Sequence, residues 1–430
     1  MIKQIKKYLF LPENNKLVSN FFSLSVLQVA GLILPLLVFP YLILVLGVEK
    51  FGLIIYAQAI MSYFVVFTDY GFNLSATRDI SININNKKKI ADIFNTVFFT
   101  KIILLLFSFI ILIFILFIFK SLQSELLLYF SSFFIVIGQS LFPIWFFQGV
   151  EKMKFITYLN IIAKIIFTGL IFLLIKEPSD YIYANLFLGL GTIISSIISV
   201  YVLYKNYNIK IILPSFKQIE SEIKNGFHIL LSSFSINIYL NTNIIILSFF
   251  VNPLIIGYYS IAEKIMLILR QLLSVFSQVI YPHICKLVQK SHSQLILFYK
   301  KIYIPFLIVI ILLSILLYLL ADMIVLLLTN TNNLDIVNLV KLIAFVPIIV
   351  CLNIPAYQTL LAYDMRKSYS FILSLGSLVS VILNFLLSYY FQAIGTCISI
   401  IITEALITLG LYLVLEFKNK NYSLFTLKNI

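Results

Sequence analysis

The stretch GYYSIAEKIMLILRQLLSVFSQVIYPH, residues 257 to 283, decides how the rest of the chain reads. At about 1.5 Å per residue it extends about 40 Å as a helix, enough to cross a bilayer. Yet Glu263, Lys264 and Arg270 lie well inside it. At 3.6 residues per turn, Ser260, Glu263, Arg270, Ser274 and Ser277 share one face, with Lys264 and Gln271 at its edge. Ile265, Leu269, Leu272, Leu273 and Phe276 point the other way. A charge near mid-bilayer costs about 2.5–3.5 kcal/mol, so three in one span must pair or face a wet cavity. Two readings follow: an internal Glu–Lys or Glu–Arg pair that locks helices together, or one wall of a polar translocation path.

Working outward, the 430 residues are 61% hydrophobic and only 11% charged, too few charges to cover a soluble domain of this size. The fold class is therefore an all-α polytopic membrane protein. Apolar runs give about twelve transmembrane helices: 20–46, 51–75, 93–119, 125–147, 155–175, 181–204, 226–250, 257–281, 301–325, 337–361, 368–390 and 394–416. No connection is long enough to hold a folded extramembrane domain. The basic start, Met1–Lys16, lacks a short apolar core followed by a cleavage site, so the first apolar run is expected to remain a membrane helix.

The net charge of +14 comes from Lys and Arg in short loops, where it acts as a topology signal and meets anionic headgroups; no nucleic acid is needed to explain it. Alternate connections carry Arg78 and Lys87–Lys89, Lys152 and Lys154, Lys205 to Lys224, Lys286 to Lys301, and Arg366 with Lys367. The opposite side holds only Lys50, Lys120, Lys176 and Lys341. The rich side is cytoplasmic, which places both termini there.

The longest cytoplasmic connection divides the chain into residues 1–204, an N-terminal six-helix lobe; 205–225, an amphipathic connector; and 226–430, a C-terminal six-helix lobe with a short tail. In the connector, Phe216, Ile219 and Ile223 share a face, Pro214 fits a first helical turn, and Glu220 and Lys224 make an i,i+4 pair. A short helix in the membrane interface is expected there. GLIIYAQAI at Gly52–Ile60 also aligns with GYYSIAEKI at Gly257–Ile265, six spans later. An even separation implies parallel repeats related by an axis along the membrane normal.

Other spans carry one-sided polarity: Thr157, Asn160, Lys164 and Thr168; His228, Ser232, Ser235, Tyr239 and Thr242; Ser374, Ser377, Asn384 and Ser388; Thr396, Ser399 and Thr403 beside Glu404. Ser and Thr also serve helix packing because they are small, so the ionisable residues carry the functional reading. Lys164, Lys264 and Arg270 suit an anionic ligand such as a pyrophosphate or an acidic sugar. Glu263, Glu404 and Asp69 suit internal pairing or a coupling Na⁺ or H⁺. Lys101 lies near a boundary and is expected to snorkel. The histidines and the three cysteines lack ligand spacing, so no metal site or cofactor is expected. No phosphate loop or nucleophile elbow is present, so no enzyme activity is expected either.

Asn20, Gln28, Pro35, Pro40-Tyr41-Leu42, Leu46-Gly47, Phe51-Gly52, Tyr56 and Gln58 resemble the opening of bacterial polysaccharide exporters. These are the O-antigen and capsule repeat-unit flippases of the multidrug/oligosaccharidyl-lipid/polysaccharide superfamily. DYGFNLSATRDIS at Asp69–Ser81, FQGVEKM at Phe147–Met153 and GYYSIAEKI at Gly257–Ile265 resemble further landmarks in order. The resemblance implies an alternating-access transporter of the bacterial inner membrane. Its implied cargo is an undecaprenyl-pyrophosphate-linked oligosaccharide, with membrane lipids and glycan polymerase or assembly proteins as partners and cation coupling as the driving mode. A drug/cation antiporter of the same superfamily would favour an acidic cavity. A peptidoglycan-precursor flippase would bring two further spans. A membrane glycan polymerase or glycosyltransferase would bring a large periplasmic loop or an acidic sugar-nucleotide motif.

Overall fold

Backbone polar groups have no water to bond in a bilayer core, so a chain this apolar satisfies them within helices. The computed structural model describes residues 37–418, leaving out some helical side chains, those of His228, Ser232, Ser235 and Tyr239 among them. Of the expected first span and opening landmarks, Asn20, Gln28 and Pro35 lie outside the described residues. Among those described there is no strand, and nine helices are long and apolar enough to cross a membrane. The protein is an all-α polytopic membrane protein.

The chain forms two compact units. The first comprises residues up to Leu46 together with Ala57–Asn237; the second comprises Gly47–Tyr56 and the residues from Ile238 on. The first unit contains α1 (Leu37–Leu46), most of α2 (Val48–Asp69), α3 (Phe72–Ile82) and α4 (Lys87–Ile118). It continues with α5 (Leu126–Leu141), α6 (Ile144–Gly149), α7 (Met153–Leu174), α8 (Tyr181–Tyr207) and the first turns of α9 (Phe216–Ser248). Gly71, at φ 81°, breaks α2 from α3 in a left-handed conformation that glycine adopts freely. Asn86 opens α4 by accepting from the Lys89 amide at 3.1 Å. Trp145, Phe94, Phe146, Phe147 and Phe72 form an aromatic core where α3, α4 and α6 meet.

The expected connector differs from the structure. Ser215 precedes the helix, its amide and hydroxyl both donating to Gln218 Oε1, and Pro214 lies outside the first turn. From Phe216 the helix runs unbroken into the seventh span as α9. Gly226 lies mid-helix, where an added Cβ would meet the Tyr70 ring, so this glycine serves close packing rather than a turn. Lys224 and Glu220 do pair, at 2.7 Å.

The second unit contains α10 (Pro253–Lys290), α11 (His292–Phe298) and a π turn at Tyr299–Tyr303. Beyond these come α12 (Ile304–Leu319), α13 (Ala321–Thr329), α14 (Leu334–Ile343), α15 (Val346–Ala362) and α16 (Arg366–Lys418). Asn252 caps α10 through the Ile255 amide, and Pro253 takes the first turn, where its missing N–H costs nothing. The two last expected spans, 368–390 and 394–416, are the two helical halves of α16, separated by a kink at Gln392, whose backbone is non-helical (φ 52°, ψ −131°). Within this unit the two aligned repeat glycines touch. A Cβ on Gly52 would lie 2.6 Å from the Gly257 amide nitrogen, and one on Gly257 would lie 2.8 Å from Val48 Cγ1. The start of α2 thus crosses the start of α10 at equivalent positions, with no room for side chains between them.

Candidate functional site

In the second unit, α10 and α16 carry the charged stripe. Arg270 is ion-paired with Glu404, 134 residues away, through Nη2 and Oε1. The Glu404 side chain is 3% exposed and that of Arg270 21%, so the carboxylate depends on its partner for solvation. Two turns earlier on α10, Tyr259 donates its hydroxyl proton to Glu263 Oε1 at 3.0 Å, and both residues are buried. Ser260, Ser399 and Thr403, on the same two helices, bury hydroxyls without a hydrogen-bond partner among the described residues. Lys264 is half-buried beside Glu263.

A second polar chain links α9 to α16 inside this unit. Asn384 donates to Asn243 at 2.8 Å, Ser388 donates to Asn384 Oδ1 at 2.6 Å, and Ser388 shares a hydrogen bond with Thr396 at 2.8 Å. Asn384, Ser388 and Thr396 belong to the polar stripes evident in the sequence, whereas Asn243 escaped notice beside Thr242. The chain runs from Asn243 through Asn384 and Ser388 to Thr396, so these polar groups partner one another inside the unit.

In the first unit, Lys164 is half-buried midway along α7. Among the described residues its ammonium meets no carboxylate and no hydrogen-bond acceptor. Asn160, one turn before it, donates to the Ile156 carbonyl at 2.8 Å; Thr168, one turn after it, buries a hydroxyl without a partner. An unneutralised cation of this kind is expensive in an apolar helix and calls for an anion.

Asp69 pairs with Lys101 Nζ at 3.1 Å. The expected snorkelling of Lys101 is thus not what the structure holds: the residue is 2% exposed, on the face of α4 that also buries Val97, Leu104 and Ser108. The pair lines a cavity of about 400 Å³ inside the unit, with Asn73, Gln139, Ser140 and Asn160 also in its wall. Sequence spacing does not encode the pairing of Asp69 or the burial of Ser140, since their partners and walls come from several other helices.

Outside the membrane spans, Glu222 on α9 is half-buried; burial first, and then the nearby Asp79 carboxylate, raise its pKa from the ordinary glutamate value. Among the described residues no group of three His, Cys, Asp or Glu side chains is placed to hold a metal ion. Cys285, Cys351 and Cys397 are free thiols.

Comparison with known proteins adds a lineage to this geometry. Residues 17–288 match the family described as "Polysaccharide biosynthesis protein". A curated relative from Escherichia coli K12, named "Putative O-antigen transporter", is 30% identical over 390 residues, 90% of this chain and 94% of that protein. A relative of the same name from Shigella dysenteriae is 29% identical over 91% of this chain and 98% of that protein. Among solved structures, the lipid II flippase MurJ in an inward closed conformation matches with a TM-score of 0.66 at 16% identity, covering 94% of this chain and 89% of that one. A MATE-family multidrug resistance transporter in an inward-facing conformation matches at 0.62 and 13%, covering 89% and 96%. The two likenesses show a shared fold, and both curated relatives are named as transporters rather than enzymes.

Proposed function

The chain belongs to the polysaccharide biosynthesis protein family, and from that membership we propose that it moves undecaprenyl-pyrophosphate-linked oligosaccharide from the cytoplasmic to the periplasmic leaflet of a bacterial inner membrane. Two six-helix lobes, joined through α9, rock to alternate access. The observation that carries the reading is Lys164. A cation held mid-span without a counter-charge suits a diphosphate or an acidic sugar far better than a cationic drug. Lys264 and Arg270 supply further positive charge to the same cargo, Arg270 by exchanging Glu404 for substrate oxygens during the cycle.

Glu263, Glu404 and Asp69 divide between coupling and pairing. Glu404 and Asp69 already hold Arg270 and Lys101. That leaves Glu263, beside the Tyr259 hydroxyl, as the carboxylate to take up Na⁺ or H⁺. The drug/cation antiporter reading would need acidic groups free of internal cations, whereas Arg270 holds Glu404, Lys101 holds Asp69 and Lys264 lies beside Glu263.

The test is export of surface glycan by cells carrying Lys164→Gln or Lys164→Arg. Gln is expected to abolish export at a normal level of membrane-inserted protein, and Arg to retain a measurable fraction. Full export by the Gln variant at that protein level would overturn the assignment.

A further inference from the structure

We infer that the cavity between Asp69, Lys101 and Ser140 in the first unit is a binding site for one uncharged sugar ring of the transported glycan, separate from the cationic residues that take the pyrophosphate. The inference rests on the transport reading above and adds to it where, and by what chemistry, the glycan is held.

Four observations converge. The cavity, about 400 Å³, falls in the range of small-molecule sites and has room for roughly one or two sugar rings. Its wall presents hydrogen-bonding groups that the protein leaves unused. Ser140 is 3% exposed, and among the described residues neither its hydroxyl nor the buried Asn73 Oδ1 has a partner. Lys101 carries three N–H donors, and among the described residues Asp69 engages the only one in use. The cavity charge is balanced, because Lys101 and Asp69 cancel at 3.1 Å.

Each observation narrows the ligand. A buried donor or acceptor without a partner costs about 1–3 kcal/mol, so a polar guest should fill these positions. Donors (Lys101 N–H, Ser140 O–H) and acceptors (Asn73 Oδ1, Asp69 carboxylate) belong to residues that line the same cavity, which matches hydroxyl groups that both give and receive. A balanced charge offers no net pull on a phosphate or a carboxylate, and Asp69 repels either. The amides of Gln139 and Asn160 extend the same neutral, hydroxyl-matching lining.

Purified full-length protein in lipid nanodiscs provides the test. The probes are glucose, galactose, N-acetylglucosamine, N-acetylgalactosamine and rhamnose, with glucuronate as the acidic control. Trp145, the chain's single tryptophan, directly follows Ile144 in the cavity wall and reports occupancy by its emission. Ligand-observed NMR covers a sugar that leaves that emission unchanged. Farnesyl pyrophosphate is titrated into the same preparations as a headgroup probe.

At least one neutral sugar is expected to bind saturably and more tightly than glucuronate. Ser140→Ala and Asn73→Leu should each weaken it about tenfold, one hydrogen bond's worth, while pyrophosphate binding stays unchanged. A melting curve like that of the wild type identifies which variants are folded. Water alone in the cavity, seen as no saturable binding by any neutral sugar, overturns the inference. So does binding that both folded variants leave untouched, or a preference for glucuronate. Loss of pyrophosphate binding with sugar binding retained would count against the headgroup assignment to Lys164 and Arg270, leaving the cavity inference supported.

Discussion

Replacing Arg270 by Met strands the Glu404 carboxylate, 3% exposed, without its cation. Removing one member of a buried pair costs about 3–5 kcal/mol, mostly the desolvation of the charge left behind. For a unit of about 200 residues each kcal/mol lowers the melting temperature by about 2–4 °C, so the single variant should melt roughly 6–20 °C lower. Glu404→Met should cost somewhat less, because Arg270 is 21% exposed and can turn toward water. The double variant removes both charges and keeps apolar volume, so it should recover most of the loss, a coupling of about 3 kcal/mol or more. Cys351 and Cys397 are both fully buried in the same unit, and Cys397 lies two turns from Glu404 on α16. A fluorogenic thiol reagent therefore reads melting of this unit directly. Single-variant losses that simply add in the double variant would refute the pairing argument. A stable double variant that fails to transport would mark Arg270 as part of the path as well as of the pair.

At the crossing of α2 and α10, Gly52→Val or Gly257→Val drives a side chain into opposing backbone and should cost more than the about 1–3 kcal/mol of ordinary overpacking, visible as lost folded protein by size-exclusion. Gly169→Ala, with nothing within 4 Å of the new Cβ, should be tolerated. Glu222→Gln should raise the melting temperature near pH 7 by a few degrees at most. The folded-state pKa of Glu222 is raised, so its contribution to stability is intact below the unfolded pKa and is lost as pH rises through the folded one. The gain should accordingly vanish at about pH 4, and a gain of equal size at both pH values would rule that cause out.

The sequence supports the spans and the special residues better than their partners. Glu263, Arg270 and Glu404 announce themselves because a charge inside an apolar run has no cheap explanation. That Arg270 meets Glu404 follows from packing between helices, which periodicity does not encode, whereas Tyr259 and Glu263 are neighbours four apart on one helix. Lys101 shows the limit most plainly. The run Lys87–Ile118 is apolar nearly all round, so no polar face tells which side of α4 turns inward, and a lysine near its end reads as a snorkelling one. Its burial becomes intelligible only once Asp69 stands 3.1 Å away. The alignment of Gly52 with Gly257 marks two small residues, and the structure packs them against each other where no side chain would fit. Gly226 gives no sign in the sequence that α9 runs on through it, because what it fits against, the Tyr70 ring, lies far away in the chain.

The most direct test of lipid-linked glycan transport is flipping in proteoliposomes. A fluorescent undecaprenyl-pyrophosphate oligosaccharide is followed with a membrane-impermeant quencher, with and without Na⁺ or pH gradients. The account predicts a protein-dependent change in leaflet accessibility that a gradient accelerates and Lys164→Gln removes. No change with several glycans, alongside uptake of a cationic dye by the same vesicles, would contradict it and move the protein to drug/cation antiport.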